Sequence, residues 1–311
     1  MDFVVAGPLR AGTTLLRLIL DNHPSISCVG EFEEAVSQAG PGGTWPSTAD
    51  YRDFLAQHRA AQAKRLTVDP TITAYPDLVR SMWDQLAARQ NKPIVGCCIH
   101  SRFDRVREIW PSARFIFLTR DPRDVARSCV GMGWSGEPTN AVAKWIEPVR
   151  RWLGLREGLA PEDFVEVRYE DLLANPEHEL DRCCRLLGHG FDPAMLAFHE
   201  SSTYEPLDPK LAEQWRRKMS PRTAEIIDAA CLDLMPRFGY APSVPTPRPA
   251  TAGERLRLRA ADKLGRSRFR VNRYGLALTC SWALAKRLPL GNPWRTGLKA
   301  RINAIDTRHL R

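Results

Sequence analysis

Residues 3–20 read Phe3-Val4-Val5-Ala6-Gly7-Pro8-Leu9-Arg10-Ala11-Gly12-Thr13-Thr14-Leu15-Leu16-Arg17-Leu18-Ile19-Leu20. The first four residues suit a short buried strand, and the run from Leu15 carries helical periodicity. Between them stands a Gly-x-x-x-x-Gly turn. A glycine at each end lets the backbone fold back sharply, so that several N–H groups and the positive end of the next helix converge on one point. Such a point holds phosphate or sulfate. The spacing is that of the nucleotide P-loop, G-x-x-x-x-G-K-[ST], but Thr13 stands where the lysine belongs. The arm that reaches a γ-phosphate is therefore missing, and Arg10 offers a planar, permanently charged fork instead, suited to a phosphosulfate or monophosphate. On spacing alone, an ordinary strand–turn–helix crossover is the competing reading.

The remaining chain alternates in the same way. Ser25 to Val29 suits a short strand ending at Gly30-Glu31, which puts Glu31 at a strand end. Residues 39–47 are a Gly- and Pro-rich loop, followed by helical patterns over 49–66 and 76–90. Pro93 to Cys98 and Arg114 to Thr119 have the composition of buried strands. Helices are expected at 122–130, 139–158, 176–187 and 221–236, with a further strand over Phe164 to Arg168. Alternating β and α elements predict an α/β fold, a P-loop-like parallel β-sheet flanked by helices, with ligands beyond the carboxyl ends of the strands.

The 311 residues, 43% of them hydrophobic, suffice for one large domain or two modest ones. Pro242, Pro245, Pro247 and Pro249 mark a stiff linker, so we place a boundary near 245, between a catalytic domain (1–245) and a basic helical C-terminal extension (246–311). Residues 246–311 hold 16 Lys+Arg against 3 Asp+Glu, a surplus of 13, which leaves residues 1–245 with 29 against 33. The net charge of +9 thus belongs to the tail. The eight cysteines include two adjacent pairs and no zinc-type spacing, which predicts reduced, mostly buried thiols and no metal site. The first strand begins by Phe3, leaving no room for a signal peptide, and no apolar run approaches the ~20 residues of a membrane span. A cytoplasmic location is the expectation.

A second motif, Arg120-Asp121-Pro122-Arg123-Asp124-Val125-Ala126-Arg127-Ser128, follows the strongest strand. Asp121 can cap a helix opened by Pro122, and Arg120 with the Ser128 hydroxyl can clamp a further phosphate. A well-capped helix with solvated arginines is the alternative.

Taken together, these stretches resemble the sulfotransferases that use 3′-phosphoadenosine 5′-phosphosulfate (PAPS), especially the tyrosylprotein-sulfotransferase-like branch and its bacterial relatives. The matching runs are Arg10 to Arg17, Leu20 to Pro24, Gly30-Glu31, Pro111 to Phe115, Arg120 to Ser128, Val167 to Leu172 and Asn175-Pro176. Weaker echoes extend to Gly239-Tyr240, and the tail lies outside the resemblance. It implies that Arg10, Ala11, Gly12, Thr13 and Thr14 hold the 5′-phosphosulfate, that Arg120 and Ser128 hold the 3′-phosphate, and that Tyr169 stacks on the adenine. It also implies that Glu31 is the catalytic base and that the donor is PAPS, with no metal. The physical alternative for Tyr169 is a core aromatic, and for Glu31 a solvated carboxylate like its neighbours Glu33 and Glu34.

Two positions depart from the pattern. The lysine that relatives carry after the third strand is absent, and Cys98 and His100 are what this chain offers there. His100 is the reserve candidate for the base. The arginine that tyrosylprotein enzymes place after their base is replaced by Glu33 and Glu34, which argues against an acidic protein tyrosine as acceptor. The expected reaction is in-line sulfuryl transfer from PAPS to a hydroxyl of a glycan, lipid or small molecule. The rivals are a P-loop nucleotide kinase or NTPase, disfavoured by Thr13, and a non-catalytic polyanion- or membrane-binding protein built on the tail. The tail's arginines precede the apolar run Leu276 to Leu284, a combination that suits an anionic membrane surface as well as a helical appendage packed on the catalytic domain. Nucleic acid is not an expected partner.

Overall fold

The computed structural model describes residues 1–40, 43–289 and 292–308. Five strands form, β1 (Phe3–Ala6), β2 (Ile26–Glu31), β3 (Ile94–Ile99), β4 (Arg114–Thr119) and β5 (Phe164–Arg168). The longer helices are α1 (Thr13–Asp21), α2 (Thr48–Gln57), α3 (Tyr75–Ala87), α4 (Pro122–Gly131), α5 (Ala143–Arg156), α6 (Pro176–Leu186), α7 (Pro221–Cys231), α8 (Ala252–Tyr274), α9 (Leu276–Ala285) and α10 (Pro293–Arg308). The chain divides into two compact units.

The first unit comprises Met1–Asp121, Lys144–Gln214 and Asp233–Tyr240 and contains the whole sheet. Every strand pair is parallel, in the order β2-β3-β1-β4-β5. The central strand β1 is buried along its length, as its unbroken apolar sequence requires of a strand covered on both faces. One face packs Val5, Leu16, Ile19, Leu118, Val167 and Phe198 into a continuous core. On β4, Phe117 stacks on Trp152 of α5 with ring centroids 4.5 Å apart. In register Ala6 lies opposite Ile99, where β3 also ends, and Phe117, two residues before the end of β4. The chain therefore passes into Gly7, His100, Arg120 and Tyr169 at one edge of the sheet, the edge at which β2 ends in Glu31. The adjoining crevice is where a parallel sheet of this kind binds ligands.

The second unit comprises Pro122–Ala143, Trp215–Leu232 and Ala241–Arg311. Its interior holds Arg123, which is ion-paired to Asp228 at 3.2 Å, lies over the Trp215 ring at 3.7 Å and donates to Ala241 O at 3.1 Å. Charge, cation–π and backbone partners together make burial of this guanidinium tolerable. Helix α8 opens with a complete capping box, Thr251 with Glu254, and is tied down where Asp262 accepts from Ser135 Oγ and Gly136 N, both at 2.7 Å.

Several helices differ from expectation. The helix expected over 49–66 breaks at His58, whose ψ of 107° is extended, and resumes at Arg59–Ala63. The one expected over 139–158 is split into Pro138–Ala141 and α5. The one expected over 221–236 stops at Cys231, and Pro236, which lacks an N–H, sits in a separate 3₁₀ turn. Tyr169–Ala174, the short segment after β5, forms a helix the periodicity does not signal. Among the described residues, no helix is long and apolar enough to cross a membrane.

Candidate active site

The turn after β1 needs its glycines for packing as well as for flexibility. A Cβ on Gly7 would sit 2.1 Å from Leu118 O, and one on Gly12 would sit 2.5 Å from Tyr169 Cδ2. Gly12, at φ 107°, also adopts the left-handed region and forms the N-cap of α1. Arg10 is held at φ 71°, a conformation that costs a non-glycine residue of order 1–3 kcal/mol and is retained where the surrounding fold imposes it. Arg10 is exposed, Ala11 and Thr13 are buried, and Thr14 is exposed. The first turn of α1 contains no acidic side chain, so its N–H groups and dipole present positive potential to an anion.

Beside this turn lies a cavity of about 390 Å³ lined by Thr13, Thr14, Arg17, Gly30, Glu31, Cys98 and His100. Glu31 enters it because the pairing of β2 with β3 shifts register between Cys28 and Glu31, where Gly30 takes φ 97°. The Glu31 side chain is 65% exposed, whereas His100 is 8% exposed. Their nearest atoms, Glu31 Oε1 and His100 Nε2, are 3.7 Å apart, an ion-pair distance. The other ring nitrogen, Nδ1, lies 3.1 Å from Gly7 O. Burial pulls the His100 titration down, but the Glu31 carboxylate outweighs it, and the ring is raised from 6.5 to about 9. In turn His100 holds Glu31 below its ordinary value against the opposing effect of burial, with Arg17 contributing.

The surroundings of three neighbouring side chains differ from what their positions in sequence suggest. Cys98 is raised well above the usual thiol range by its contact with Cys28 and by burial, so it is a neutral thiol. Glu33 and Glu34 are not solvated carboxylates. Glu33 Oε1 accepts the backbone N–H of His100 and, at 3.2 Å, that of Ser101, while Oε2 accepts Ser101 Oγ at 2.5 Å. Glu34 is 1% exposed and pairs with Lys64 at 2.5 Å. Both acids are spent on the protein itself.

Arg120 and Tyr169 meet at the same edge of the sheet. The guanidinium lies over the Tyr169 ring at 4.2 Å and donates to Leu211 O at 2.9 Å. Tyr169 is 5% exposed, with its ring edge against Gly12 and its body in the core. Ser128 lies half-buried on α4 in the second unit. Sequence reasoning overlooked Arg17 and Glu33. Arg17 was detectable, since it stands one helical turn after Thr13 on the same face of α1. Glu33 was not, because its partners, His100 and Ser101 just past the end of β3, lie almost seventy residues away. All eight cysteines are free thiols, and seven are buried. Among the described residues, no group of three or more His, Cys, Asp or Glu is placed to hold a metal ion.

Comparison with known proteins agrees with this arrangement. A chain described as a putative protein-tyrosine sulfotransferase of Caenorhabditis briggsae is 28% identical over 209 residues, covering 63% of this chain and 68% of its own. The omega-hydroxy-beta-dihydromenaquinone-9 sulfotransferase Stf3 of Mycobacterium bovis is 28% identical over 167 residues, 47% of this chain and 41% of the relative. This chain therefore matches well under half of that second protein. The solved sulfotransferase domain of the Synechococcus PCC 7002 olefin synthase shares the fold with a TM-score of 0.54 and 21% identity, over 77% of this chain and 94% of the domain. The sulfotransferase domain from the curacin biosynthetic pathway gives the same TM-score at 18% identity, over 77% of this chain and 98% of that domain. The sulfotransferase family profile matches residues 2–193, well over half of the chain. With the parallel sheet, the lysine-less Gly-x-x-x-x-Gly turn and the match over these residues in agreement, this chain belongs to the sulfotransferase family, enzymes that use PAPS.

Proposed function

We propose that the protein transfers the sulfuryl group of PAPS to a hydroxyl acceptor, with Glu31 as the base. The observation that carries this reading is the convergence, on one cavity, of the start of α1 and the Glu31–His100 pair. The turn fits the donor's phosphosulfate end. It has N–H groups directed by α1, a glycine cradle that a Cβ would fill, and Arg10 in place of the P-loop lysine. Arg120, Ser128 and Tyr169 are assigned to the 3′-phosphoadenosine end. For the adenine to lie on Tyr169, the Arg120 guanidinium has to leave the ring face it covers.

When bound, PAPS supplies an activated sulfuryl group and a bisphosphate leaving group. Glu31 accepts the acceptor's hydroxyl proton as the oxygen attacks, so that a weak nucleophile is activated only while it reacts. His100 cannot share that task in its observed arrangement. Gly7 O only accepts, so Nδ1 carries a proton, and the Glu31 carboxylate at ion-pair distance from Nε2 raises the ring's titration to about 9, which favours the imidazolium near neutral pH. We assign it the charge-stabilising place that a lysine takes in relatives, and we assign Arg10 and the turn amides to the charge developing on the phosphosulfate.

The names of the two relatives specify tyrosine and hydroxylated-menaquinone acceptors, both with an O–H to be sulfated. For this chain we propose a hydroxyl of a glycan, lipid or small molecule, since no arginine follows Glu31 to grip an acidic peptide. Seven buried, unbridged cysteines suit a reducing compartment such as the cytoplasm. We assign catalysis to residues 1–245 and regard 246–311 as an extension with a separate surface role.

The test is thermal melting of the full chain with adenosine 3′,5′-bisphosphate and with Mg-ATP. A ligand selective for the folded state stabilises by ~2.7 kcal/mol at one hundred times its dissociation constant. The bisphosphate is expected to stabilise and Mg-ATP to do much less. Equal or larger stabilisation by Mg-ATP favours the P-loop kinase reading.

A further inference from the structure

The three C-terminal helices have an inside and an outside. Leu278, Ala285 and Leu298 are buried in a small core with Tyr274, Trp282, Ile302 and Ile305 packed against it, and Tyr274 donates to Asp306 Oδ1 at 2.9 Å. The opposite face of α9 carries Leu276, Ala277, Cys280, Ala283 and Leu284, all exposed, with the two leucines at 65% and 58%. These positions follow i, i+1, i+4, i+7 and i+8, which is one stripe of a helix. No residue of α9 is charged, so the stripe is apolar from end to end.

What surrounds the stripe determines what can cover it. Arg273 precedes α9, Lys286 and Arg287 follow it, and α8 exposes Arg257, Arg259, Arg268 and Arg270. A second copy of this surface would set its basic flanks against the same basic flanks, with no acidic side chain on α9 to offset them. A nucleic-acid backbone would satisfy the arginines but leave the leucines in water. An anionic bilayer satisfies both, with phosphates for the guanidinium groups and the acyl boundary for the stripe. Ten residues of helix rise about 15 Å, half the ~30 Å of a bilayer core, so α9 fits the interface plane and not a span.

We propose that α9 lies in the plane of an anionic membrane surface with its Leu276–Leu284 stripe inserted, held by lipid phosphates paired to the basic residues that flank it, Lys286 and Arg287 first. This surface role is independent of the sulfuryl chemistry and goes beyond it.

Cys280 stands in the middle of the stripe and is exposed, while the other seven cysteines are buried, so the native chain can be labelled there selectively with an environment-sensitive fluorophore. The labelled full-length protein is mixed with vesicles of phosphatidylglycerol and phosphatidylcholine, and separately with pure phosphatidylcholine. Anionic vesicles are expected to shift the emission to the blue, with binding at least about tenfold tighter than to neutral vesicles and weakened by salt. Quenchers placed shallow in the lipid should act more strongly than deep ones. The double substitution Leu276→Ser, Leu284→Ser, made on exposed positions and checked for unchanged helix content, should abolish the shift. Co-sedimentation of unlabelled protein with anionic vesicles guards against an effect of the dye. Sedimentation without a spectral shift would mean adsorption by charge alone and would overturn the insertion. So would the absence of any vesicle binding, or a blue shift that grows with protein concentration without lipid, which would identify a second copy as the cover.

Discussion

His100 is held between two acceptors, with Nδ1 3.1 Å from Gly7 O and Nε2 3.7 Å from Glu31 Oε1. Its titration is raised from 6.5 to about 9 despite the burial that acts against it. A group whose folded-state value is raised contributes stability that is complete below its unfolded value and is lost as pH rises through the folded one. Where Glu31 is ionised, the Glu31–His100 pair should therefore stabilise fully below about pH 6.5 and lose its contribution on the way to about pH 9; at acid pH it is lost again as Glu31 protonates. Melting temperatures across this range should fall more steeply for the wild type than for His100→Asn, which keeps one hydrogen bond and cannot charge. Parallel profiles would show that the pair contributes nothing. If the cation also supports transfer, as we propose, turnover should decline over the same alkaline limb, and His100→Lys should retain more activity above pH 8 than His100→Asn.

The assignment of the base makes a separate prediction. Glu31→Gln preserves size and hydrogen-bonding capacity but cannot accept a proton, so turnover should fall by roughly 10² to 10⁴. The affinity for adenosine 3′,5′-bisphosphate, read from its effect on melting, should stay near the wild-type value if Glu31 serves, as proposed, the acceptor and not the donor. Near-normal turnover of Glu31→Gln, beside a dead His100→Ala that still binds the bisphosphate, would move the base to His100.

How much of this could be read in advance follows from the range of the interactions. β4 and β5 fall on the expected residues 114–119 and 164–168, and the turn at Gly7 to Gly12 was plain, because each is encoded by neighbours in sequence. The edge position of Glu31 was legible for the same reason. That His100 would face it was not, since the pairing of β2 with β3 and its shift after Cys28 bring together residues 69 apart. Glu33 and Glu34 misled because a carboxylate beside a strand end looks solvated unless its distant partners, the His100 and Ser101 amides and Lys64, are known. Tyr169 illustrates the same gap: its place against Gly12 and under Arg120 depends on three strands ending at one edge.

Glu33 should therefore matter more than its position suggests. It joins the segment after β2 to the end of β3 by accepting from His100 N, Ser101 N and Ser101 Oγ. Glu33→Ala leaves those N–H groups without their partner, at a cost of about 1–3 kcal/mol, and frees the strand end that carries His100. We expect a lower melting temperature, a lower turnover and a displaced alkaline limb. Glu33→Gln, which keeps an acceptor for the amides, should recover most of all three. A purely structural role would lower stability without moving the pH profile, and that outcome would separate Glu33 from the chemistry.

The 3′-phosphate end of the donor is tested through Arg120. Its guanidinium covers Tyr169 at 4.2 Å and donates to Leu211 O, so it must exchange these partners for a phosphate if it is to serve as proposed. A cation–π contact with a buried ring and a hydrogen bond to a backbone carbonyl are what a charge-assisted contact with phosphate has to outweigh. Arg120→Ala should weaken adenosine 3′,5′-bisphosphate by more than ~1.5 kcal/mol, because a charged hydrogen-bonded partner is lost. Adenosine 5′-phosphate, which lacks the 3′ group, should bind almost as before, or slightly better if the uncovered Tyr169 face now accepts the adenine. Ser128→Ala should act in the same direction with a smaller loss, as expected for a neutral hydroxyl. Titrating the two nucleotides against wild type, Arg120→Ala and Ser128→Ala by calorimetry separates the effects. If both nucleotides weaken alike in Arg120→Ala, the residue is holding the fold around Tyr169 and Leu211, and the 3′-phosphate has its clamp elsewhere.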